Sequence, residues 1–389
     1  GYPTLQGILS TTAYRSVNDF VFSSIPLFIL MAHFISKSRV ADDLFDAIMK
    51  WVGHIPGGTG VATVFGSAGF GTLTGSSTAA TSVMSQIAVP RMINARYSES
   101  FATGLVASCT GTLAVLIPPS IPLILYGILT ENSIGKLLIG GILPGLLLTF
   151  LLCMTVIFVG MKQNSKNEKF SWKERWISLK NIWPATLLVF LVIASIYFGI
   201  VTPTEAAAFG ATGALAIGFV LRRLTYRLVL DSLIETAKQS AMIFIIIVGA
   251  HCFSYFFTLT GFGNVVLNAV SESGLPSTAI LILLGLVYLA MGCFIDLLGC
   301  MLLTLPIVYP LIERLGYDPI WFGVVLVILL EVGLVTPPVG FNLFIVSQQT
   351  GVSINKVLIG TIPFIIILLL TVVILTVFPQ IVMFLPERM

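Results

Sequence analysis

Long apolar stretches, separated by short polar runs, occupy most of this chain of 389 residues. A membrane-spanning helix needs about 20 consecutive, mostly apolar residues. Stretches of this kind fall near residues 19–35, 99–130, 137–161, 182–200, 204–221, 239–258, 320–349 and 357–385. The pattern therefore predicts an all-α polytopic membrane protein.

Two further apolar segments, residues 56–90 and 276–309, are interrupted by glycine or proline. Each is too short to cross a bilayer twice and too interrupted to form one straight helix. Non-helical backbone at membrane depth is tolerated only where it is buried in protein or lines a wet cavity. We therefore expect both segments to form re-entrant helical hairpins.

The hairpin segments belong to a pattern that occurs twice, 220 residues apart. Corresponding positions are Pro90 and Pro310, Tyr97 and Tyr317, and the runs 133–140 and 353–360. A Pro-Pro pair at 118–119 returns at 337–338, one residue out of step, and each pair breaks a predicted transmembrane helix. Paired, interrupted hydrophobic segments in two halves indicate a secondary transporter and the location of its binding site.

Composition and charge support a membrane protein and orient it. Hydrophobic residues make up 57% of the chain and charged residues 10%, whereas a soluble domain carries about 25% charged residues. Basic loops stay in the cytoplasm, which places 162–180, 222–238 and the loop with Arg91 and Arg96 on that side. Counting spans puts residues 311–318, the counterpart of the Arg91 loop, outside. The two copies are therefore predicted to be inverted-topology repeats.

Two charged segments, 39–51 and 221–236, also carry apolar residues at helical spacing. We expect both to form amphipathic helices along the cytoplasmic surface of the membrane. The alternative is that they are ordinary solvated loops.

The first hairpin tip, residues 69–79, is a candidate site for a cation and for an anion. Its glycines allow a sharp turn that leaves carbonyl oxygens unpaired, and its hydroxyls are hard oxygen ligands. A proline break frees a further carbonyl in the facing span. The predicted sodium ligands are Gly75, Ser76, Ser77 and Pro118. The amides that open the returning helix can bind an anion; close helix packing through small residues is the alternative.

The second tip, residues 291–300, carries a carboxylate where the first has a hydroxyl, because Asp296 aligns with Ser76. An ionisable residue inside a membrane is costly unless it is paired, and no Lys or Arg is near Asp296 in sequence. A bound cation is the simplest partner, and helix capping is the alternative. The predicted ligands of this second sodium site are Asp296, Thr336 and Gly340.

An anionic substrate is expected between the two tips. Its candidate contacts are Thr78, Ser120, Asp296 and Asn342. No arginine lies deep in a predicted span, so helix N-termini and hydroxyls would hold much of the substrate unless another chain supplies charge. Glu331 precedes the second break. Its role stays open between a member of a buried ion pair and a proton-binding site.

Sequence motifs of other functions are missing. Without a GxxxxGK[ST] motif the chain does not itself hydrolyse ATP, and there is no nucleophile elbow, HExxH motif or pair of catalytic carboxylates, so we expect no enzyme. The five cysteines contain no CxxC pattern and the three histidines are isolated. We therefore expect no disulfides and no cofactor. The ion expected at the hairpin tips, Na⁺, would act as a coupling ion. A net charge of +3 is too small to indicate nucleic acid.

Several of these motifs, in this order, resemble the large membrane subunit (M subunit, DctM-like) of a tripartite ATP-independent periplasmic (TRAP) transporter. The resembling stretches are 66–69, 75–79, 117–120, 202–207 and 336–340. The resemblance implies a sodium-driven importer of organic acids in a bacterial inner membrane. It also implies a small four-helix membrane subunit, sometimes fused to the large one, and a periplasmic substrate-binding protein. We expect the family's first span to be absent from this sequence.

By the same resemblance, the hairpins and broken helices form a transport domain that moves against a static scaffold, as in an elevator. The expected division is a scaffold span and arm helix in 1–55, the first transport repeat in 56–145, scaffold spans with a cytoplasmic loop and second arm helix in 146–275, the second transport repeat in 276–364, and the end of the last span in 365–389. A single-subunit sodium/dicarboxylate symporter of similar architecture, without a binding protein, is the alternative, and a channel is a third. Dicarboxylates, sialic acid, other sugar acids and sulfonates all stay open as substrates.

Overall fold

A computed structural model describes residue 14, residues 18–162 and residues 170–389, and over these ranges the chain is helical with no strand. The helices are α1 (Ser24–Lys37), α2 (Val40–Val52), α3 (Gly58–Thr74), α4 (Ser77–Asn94), α5 (Glu99–Leu116), α6 (Ile121–Leu129), α7 (Ile134–Gly140), α8 (Ile142–Lys162), α9 (Trp172–Tyr197), α10 (Pro203–Val220), α11 (Tyr226–Thr260), α12 (Phe262–Glu272), α13 (Ser277–Gly292), α14 (Leu297–Arg314), α15 (Pro319–Leu334), α16 (Phe341–Thr350), α17 (Ile354–Val377) and α18 (Gln380–Met383). Short 3-10 turns, Phe20–Ser23 and Pro386–Arg388, flank this set.

Six of the described helical segments are long and apolar enough to cross a membrane. Large apolar side chains on the outer faces of these helices are exposed, among them Phe150 and Phe158 of α8 and Ile366 of α17. A chain this apolar, with such side chains outside, needs lipid around it. The prediction of a multi-pass, all-α membrane protein is confirmed.

Both interrupted segments form helical hairpins, and both proline breaks split a span. Helices α3 and α4 meet at a tight turn at residues 75–76, and α13 and α14 meet at residues 293–296. The predicted span 99–130 is divided into α5 and α6, and the span 320–349 into α15 and α16. The peptide bonds Pro118-Pro119 and Pro337-Pro338 are cis.

The second predicted surface helix differs from expectation. Helix α11 runs without interruption from Tyr226 to Thr260, so residues 221–236 do not form a helix separate from the span 239–258. No glycine or proline stands between 226 and 248 to end the helix. The change from polar to apolar residues alters the environment of a helix, but it does not break the hydrogen bonds of its backbone. Helix α2 (Val40–Val52), by contrast, is a separate helix that matches the predicted segment 39–51 to within one residue at each end, with Phe45 on its buried side.

The two copies have the same local structure at equivalent positions. Ser98 and Asp318, 220 residues apart, are the N-caps of α5 and α15, and each side chain accepts a backbone N–H of the first turn. Just before them, Tyr97 stacks on Phe101 at 5.5 Å between ring centroids, and Tyr317 stacks on Trp321 at 5.3 Å. The repeat read from the sequence is therefore a structural repeat.

Contacts between the copies are exchanged, as a two-fold relation requires. Gly360 of the second copy packs on Ser100 of the first, while Gly140 of the first packs on Ile320 of the second. Adding 220 to Gly140 gives Gly360, and adding 220 to Ser100 gives Ile320. Each copy thus offers the same residue positions to the other.

The ends of the broken helices show that the two copies run in opposite directions. At one end Lys356 forms an ion pair with Glu99, 2.7 Å between Nζ and Oε2. Asn132 follows α6, at the other end of the broken helix that begins at Glu99. There it donates a hydrogen bond to Tyr309 at 3.1 Å. Equivalent loops, near residues 96 and 316, therefore lie at opposite ends of the molecule, which supports the inverted topology.

The segments predicted to be cytoplasmic lie together at the first of these ends. Arg91 pairs with Asp46 of α2 at 2.5 Å, and Trp51 packs edge-on against Trp172 of α9. Arg223, just before α11, pairs with Asp43 of α2. Residues 163–169 of the predicted loop 162–180 lie outside the described residues.

Candidate functional site

The first hairpin tip is held against the first proline break. Gly75 ends α3 with φ +59°, a conformation that suits glycine because it has no Cβ. A Cβ at this position would lie 2.6 Å from the carbonyl oxygen of Pro119. The Gly75 carbonyl accepts the amide of Ile121, the first residue of α6, at 3.2 Å. The structure thus brings together the tip and the break that the sequence predicts to face each other.

Helix α4 begins at this tip with amides that the local side chains do not cap. Ser76 is extended and makes no side-chain hydrogen bond to the first turn. Its hydroxyl lies 3.4 Å from that of Thr78 instead. The first N–H groups of a helix have no partners within the helix, so the start of α4 offers both donors and hydroxyl oxygens.

Ser120, a predicted substrate contact, lies inside the first break. Its side chain is fully buried, donates to the carbonyl of Val115 and accepts the amide of Leu123 at 3.3 Å. It therefore caps α6. Its contact with substrate stays a prediction, and its hydroxyl already has two partners.

Asp296 begins the second hairpin's returning helix. Its Oδ2 accepts the amide of Leu298 at 3.2 Å, so it caps α14. The alternative of helix capping is therefore present in the structure, and one carboxylate oxygen takes part in it. Beside it, Phe294 is 67% exposed, whereas every residue from Leu73 to Gly75 at the first tip is buried.

The second break is less closely packed than the first. Residues 337–339 are exposed, while the corresponding Pro118 and Pro119 are buried. Thr336 donates its hydroxyl to the carbonyl of Val332 at 2.5 Å, and Gly340 adopts φ +60°. The sodium ligands predicted at this break, Thr336 and Gly340, are partly buried and buried, and they flank the exposed residues.

The two tips open on one cavity of about 450 Å³. The first tip lines it with residues 75–78 and the second with residues 296–298. The rest of the wall comes from both broken helices and from α1 and α11, with Ile29, Ile121, Gln239, Met242, Leu334 and Phe341 among the lining residues. Among the described residues that line the cavity, Asp296 carries the one charge.

The wall formed by α1 and α11 is a feature that the sequence reasoning missed. Gln239 lines the cavity, and its Oε1 lies 3.2 Å from Nε2 of His33. The other ring nitrogen of His33 lies 3.2 Å from Glu235, which also pairs with Lys37 at 2.9 Å. The signal was present: these polar residues recur about one turn apart on α1 and α11, facing each other.

Below the first tip lies a buried polar cluster that joins both copies. Ser77, the first residue of α4, donates its hydroxyl to Oε2 of Glu331 at 3.0 Å. Asn342 donates its Nδ2 to Ser77 at 3.0 Å and to Glu331 at 3.4 Å. Glu331 and Asn342 stand on either side of the second break, and both are 0% exposed. The structure therefore unites a predicted sodium ligand, a predicted substrate contact and the carboxylate whose role was open.

Two inverted repeats, each a helical hairpin with a broken helix, meet at one cavity in an apolar, multi-pass chain, and this arrangement defines a membrane transporter. Residues 3–381 match the model of the family described as "Tripartite ATP-independent periplasmic transporter, DctM component". The chain belongs to this family, as the sequence resemblance predicts. The inner membrane is the location expected for a bacterial member.

Curated relatives cover almost the whole chain. The C4-dicarboxylate TRAP transporter large permease protein DctM of Pseudomonas aeruginosa is 34% identical over 97% of this chain and 89% of the relative. The sialic acid permease SiaM of Vibrio cholerae is 31% identical over 95% of this chain and 87% of its own length. All these relatives are named as transporter permeases, which confirms the expectation that the chain is not an enzyme.

Solved structures share the fold at low sequence identity. The MtrF transporter of Neisseria gonorrhoeae superposes with a TM-score of 0.60 at 16% identity, over 97% of this chain and 84% of MtrF. The YdaH transporter of Alcanivorax borkumensis gives 0.58 at 13% identity, over 96% and 86%. These likenesses establish the architecture alone.

Proposed function

We propose that this chain is the large permease of a TRAP transporter that takes up an organic anion by sodium-driven symport, with substrate delivered by a periplasmic binding protein. The observation that carries the proposal is the single cavity lined by both hairpin tips and by α1 and α11. Binding sites of secondary transporters lie where two repeats meet and are formed by discontinuous helices. The cavity has the size of a small-molecule site.

The substrate class follows from the donors at the cavity. The described lining residues include no Lys or Arg, so the uncapped amides of α4 and the hydroxyls of Ser76 and Thr78 would hold an acidic group. Some of the relatives are named for acids of different size: C4-dicarboxylate, sialic acid and 2,3-diketo-L-gulonate. An organic acid fits both facts, and the amide donors recognise the acidic group rather than the remainder of the molecule.

The negative charge near the cavity supports sodium coupling. Asp296 faces the cavity that the anion would enter, and Glu331 is buried against Ser77 at the first tip. Bound cations would compensate these carboxylates and allow an anion to bind. One sodium would lie at Gly75, Ser76, Ser77 and Pro118, and another at Asp296, Thr336 and Gly340. In the second site, Thr336 and Gly340 would reach the ion bound at Asp296 once the second proline break packs against the second hairpin tip.

The motion that we propose is elevator-like. The hairpins and broken helices, α3–α6 and α13–α16, would move as one transport domain with re-entrant tips. Helices α1, α2 and α9–α11 would stay with the membrane as the scaffold. The cavity lies between these two sets of helices, so a relative displacement would change the side from which it opens.

Two partners belong to the proposal. An isethionate TRAP permease named DctMQ is 32% identical, and this chain spans 59% of its length, which leaves room for a fused small subunit. The exposed apolar faces of α9 and α11 are available to a small membrane subunit or to lipid. A periplasmic protein would supply the substrate from the end marked by Asn132 and Tyr309.

Reconstitution in liposomes tests the proposal. The chain is co-purified with its small subunit, and the binding protein is first screened for melting shifts against dicarboxylates, sialic acid, other sugar acids and sulfonates. Uptake of the selected acid should saturate and should require both an inward sodium gradient and the binding protein. Uptake without the binding protein would favour a single-subunit symporter, and uptake that does not saturate would indicate a channel.

A further inference from the structure

The buried cluster below the first tip has oxygen atoms without partners. Glu331 and Asn342 are both 0% exposed, and Ser77 is 7% exposed. Oε1 of Glu331 and Oδ1 of Asn342 are buried and accept no hydrogen bond from the described residues. Buried polar atoms are nearly always hydrogen-bonded. Here both unpaired atoms are acceptors, and a bound cation would satisfy atoms of this kind.

Charge supports the same reading. No Lys, Arg or His forms an ion pair with Glu331 among the described residues, and its hydrogen bonds come from the neutral Ser77 and Asn342. An isolated carboxylate buried in an apolar surrounding is very unfavourable. Hard cations prefer oxygen ligands such as carboxylate, amide carbonyl and hydroxyl oxygens. The cluster contains one ligand of each type.

A glycine in a neighbouring helix leaves space for this cluster. A Cβ on Gly111 of α5 would lie 2.4 Å from the Ser77 hydroxyl, 2.6 Å from Nδ2 of Asn342 and 2.7 Å from Oε2 of Glu331. Helix α5 therefore closes the cluster with bare backbone. Four helices, α4, α5, α15 and α16, meet at this point.

The cluster occurs in one copy of the repeat. The position equivalent to Ser77 is Leu297, and the position equivalent to Asn342 is Pro122. Neither side chain can bind a cation. The repeat, which accounts for the two tips, therefore does not account for the cluster.

We propose that Ser77, Glu331 and Asn342 form a binding site for a monovalent cation such as sodium, additional to the two sites between tips and breaks. The Ser77 hydroxyl, which donates to Glu331 and accepts from Asn342, then serves this site, and Gly75, Ser76 and Pro118 remain for the first tip site. The choice of sodium rests on the proposed function. The site ties the start of α4 in the first copy to both arms of the broken helix in the second. A cation there would fix the first tip in position for substrate.

Equilibrium binding of ²²Na⁺ to the purified complex tests this site. The variant Glu331→Gln keeps the size of the side chain and removes its charge, and it should bind one sodium fewer per chain. The matched control Glu99→Gln removes an exposed carboxylate and should bind the full number. Gly111→Ala keeps every ligand residue but places a Cβ 2.4–2.7 Å from the Ser77 hydroxyl, Nδ2 of Asn342 and Oε2 of Glu331, and it should weaken sodium binding at least tenfold. Its control is Gly285→Ala, where the nearest atom to the new Cβ is 3.9 Å away.

The outcomes separate this inference from the proposed function. If wild-type uptake depends on sodium but Glu331→Gln and Gly111→Ala bind it with unchanged number and affinity, the cluster is a buried neutral acid and the inference is wrong. If uptake proves independent of sodium while Glu331→Gln still loses one bound ion, the site stands and the coupling fails. Should Glu331→Gln not fold, the Gly111→Ala comparison decides alone.

Discussion

The tightest contact between the two copies predicts a large difference between two equivalent substitutions. A Cβ on Gly360 would lie 1.7 Å from the carbonyl oxygen of Ser100. At the equivalent Gly140, the nearest atom to a new Cβ is 3.4 Å away, on Pro386. Both glycines follow a Leu-Ile pair at the same position of the repeat. Gly360→Ala and Gly140→Ala are thus chemically identical changes in similar sequence.

The magnitude follows from these distances. Contacts of a real Cβ below 3.0 Å essentially never occur, so Gly360→Ala requires α5 and α17 to separate by at least 3.0 − 1.7 = 1.3 Å. The opposing atom is backbone and cannot rotate away. Overpacking costs about 1–3 kcal/mol, sometimes more, and a backbone clash belongs at the upper end. Both variants share the gain in helix propensity of about 1 kcal/mol, so we expect Gly360→Ala to be about 3 kcal/mol less stable than Gly140→Ala.

Thermal unfolding in detergent measures this difference. A thiol-reactive dye reports unfolding because Cys109, Cys153, Cys293 and Cys300 are buried. Gly140→Ala should melt close to wild type, and Gly360→Ala should melt several degrees lower, because the shift of about 2–4 °C per kcal/mol in domains of 150–250 residues becomes smaller in a longer chain. Equal melting temperatures, or a larger loss in Gly140→Ala, would refute the described crossing of α5 and α17.

Three further substitutions test the site and its frame. Asp296→Ala should abolish sodium-driven uptake in liposomes, and undiminished uptake would remove this carboxylate from the site. Ser120→Ala should lower stability by about 1 kcal/mol through loss of the α6 cap; a raised KM in the same variant would support the predicted substrate contact, and an unchanged KM would remove it. Trp321→Phe removes the buried 2.8 Å hydrogen bond to Leu375 and should cost about 1–3 kcal/mol, whereas Trp183→Phe, at an exposed position, should melt like wild type.

The repeat and its breaks could be predicted from the sequence because proline and glycine act locally. Proline removes an amide donor whatever surrounds it, so two Pro-Pro pairs in apolar runs mark two broken helices. The caps Ser98 and Asp318 likewise act within one turn of their own helices. Local chemistry of this kind needs no knowledge of the partner chain segment.

The contacts of the site could not be predicted, because they join distant parts of the chain. Ser77 and Glu331 are separated by 254 positions, and nothing near Glu331 in sequence points to a serine at the other hairpin tip. The intramembrane carboxylate was itself a signal, but its partner is set by how the two copies cross. Gln239 was missed for the same reason: its position on the cavity depends on α11 packing beside both tips.

The distribution of carboxylates has a consequence for the order of binding under the proposed function. Asp296 belongs to the second tip and Glu331 to the second broken helix, yet Glu331 reaches Ser77 at the first tip. The second copy therefore supplies the negative charge at both tips. An anion that enters before the cations would be repelled by Asp296 in the cavity wall and by Glu331 buried behind the first tip, because like charges repel strongly where the dielectric is low. We expect sodium to bind without substrate and substrate to bind only after sodium. Sodium binding in the absence of substrate, together with no substrate binding in sodium-free buffer, would show this order, and substrate bound in the absence of sodium would contradict it.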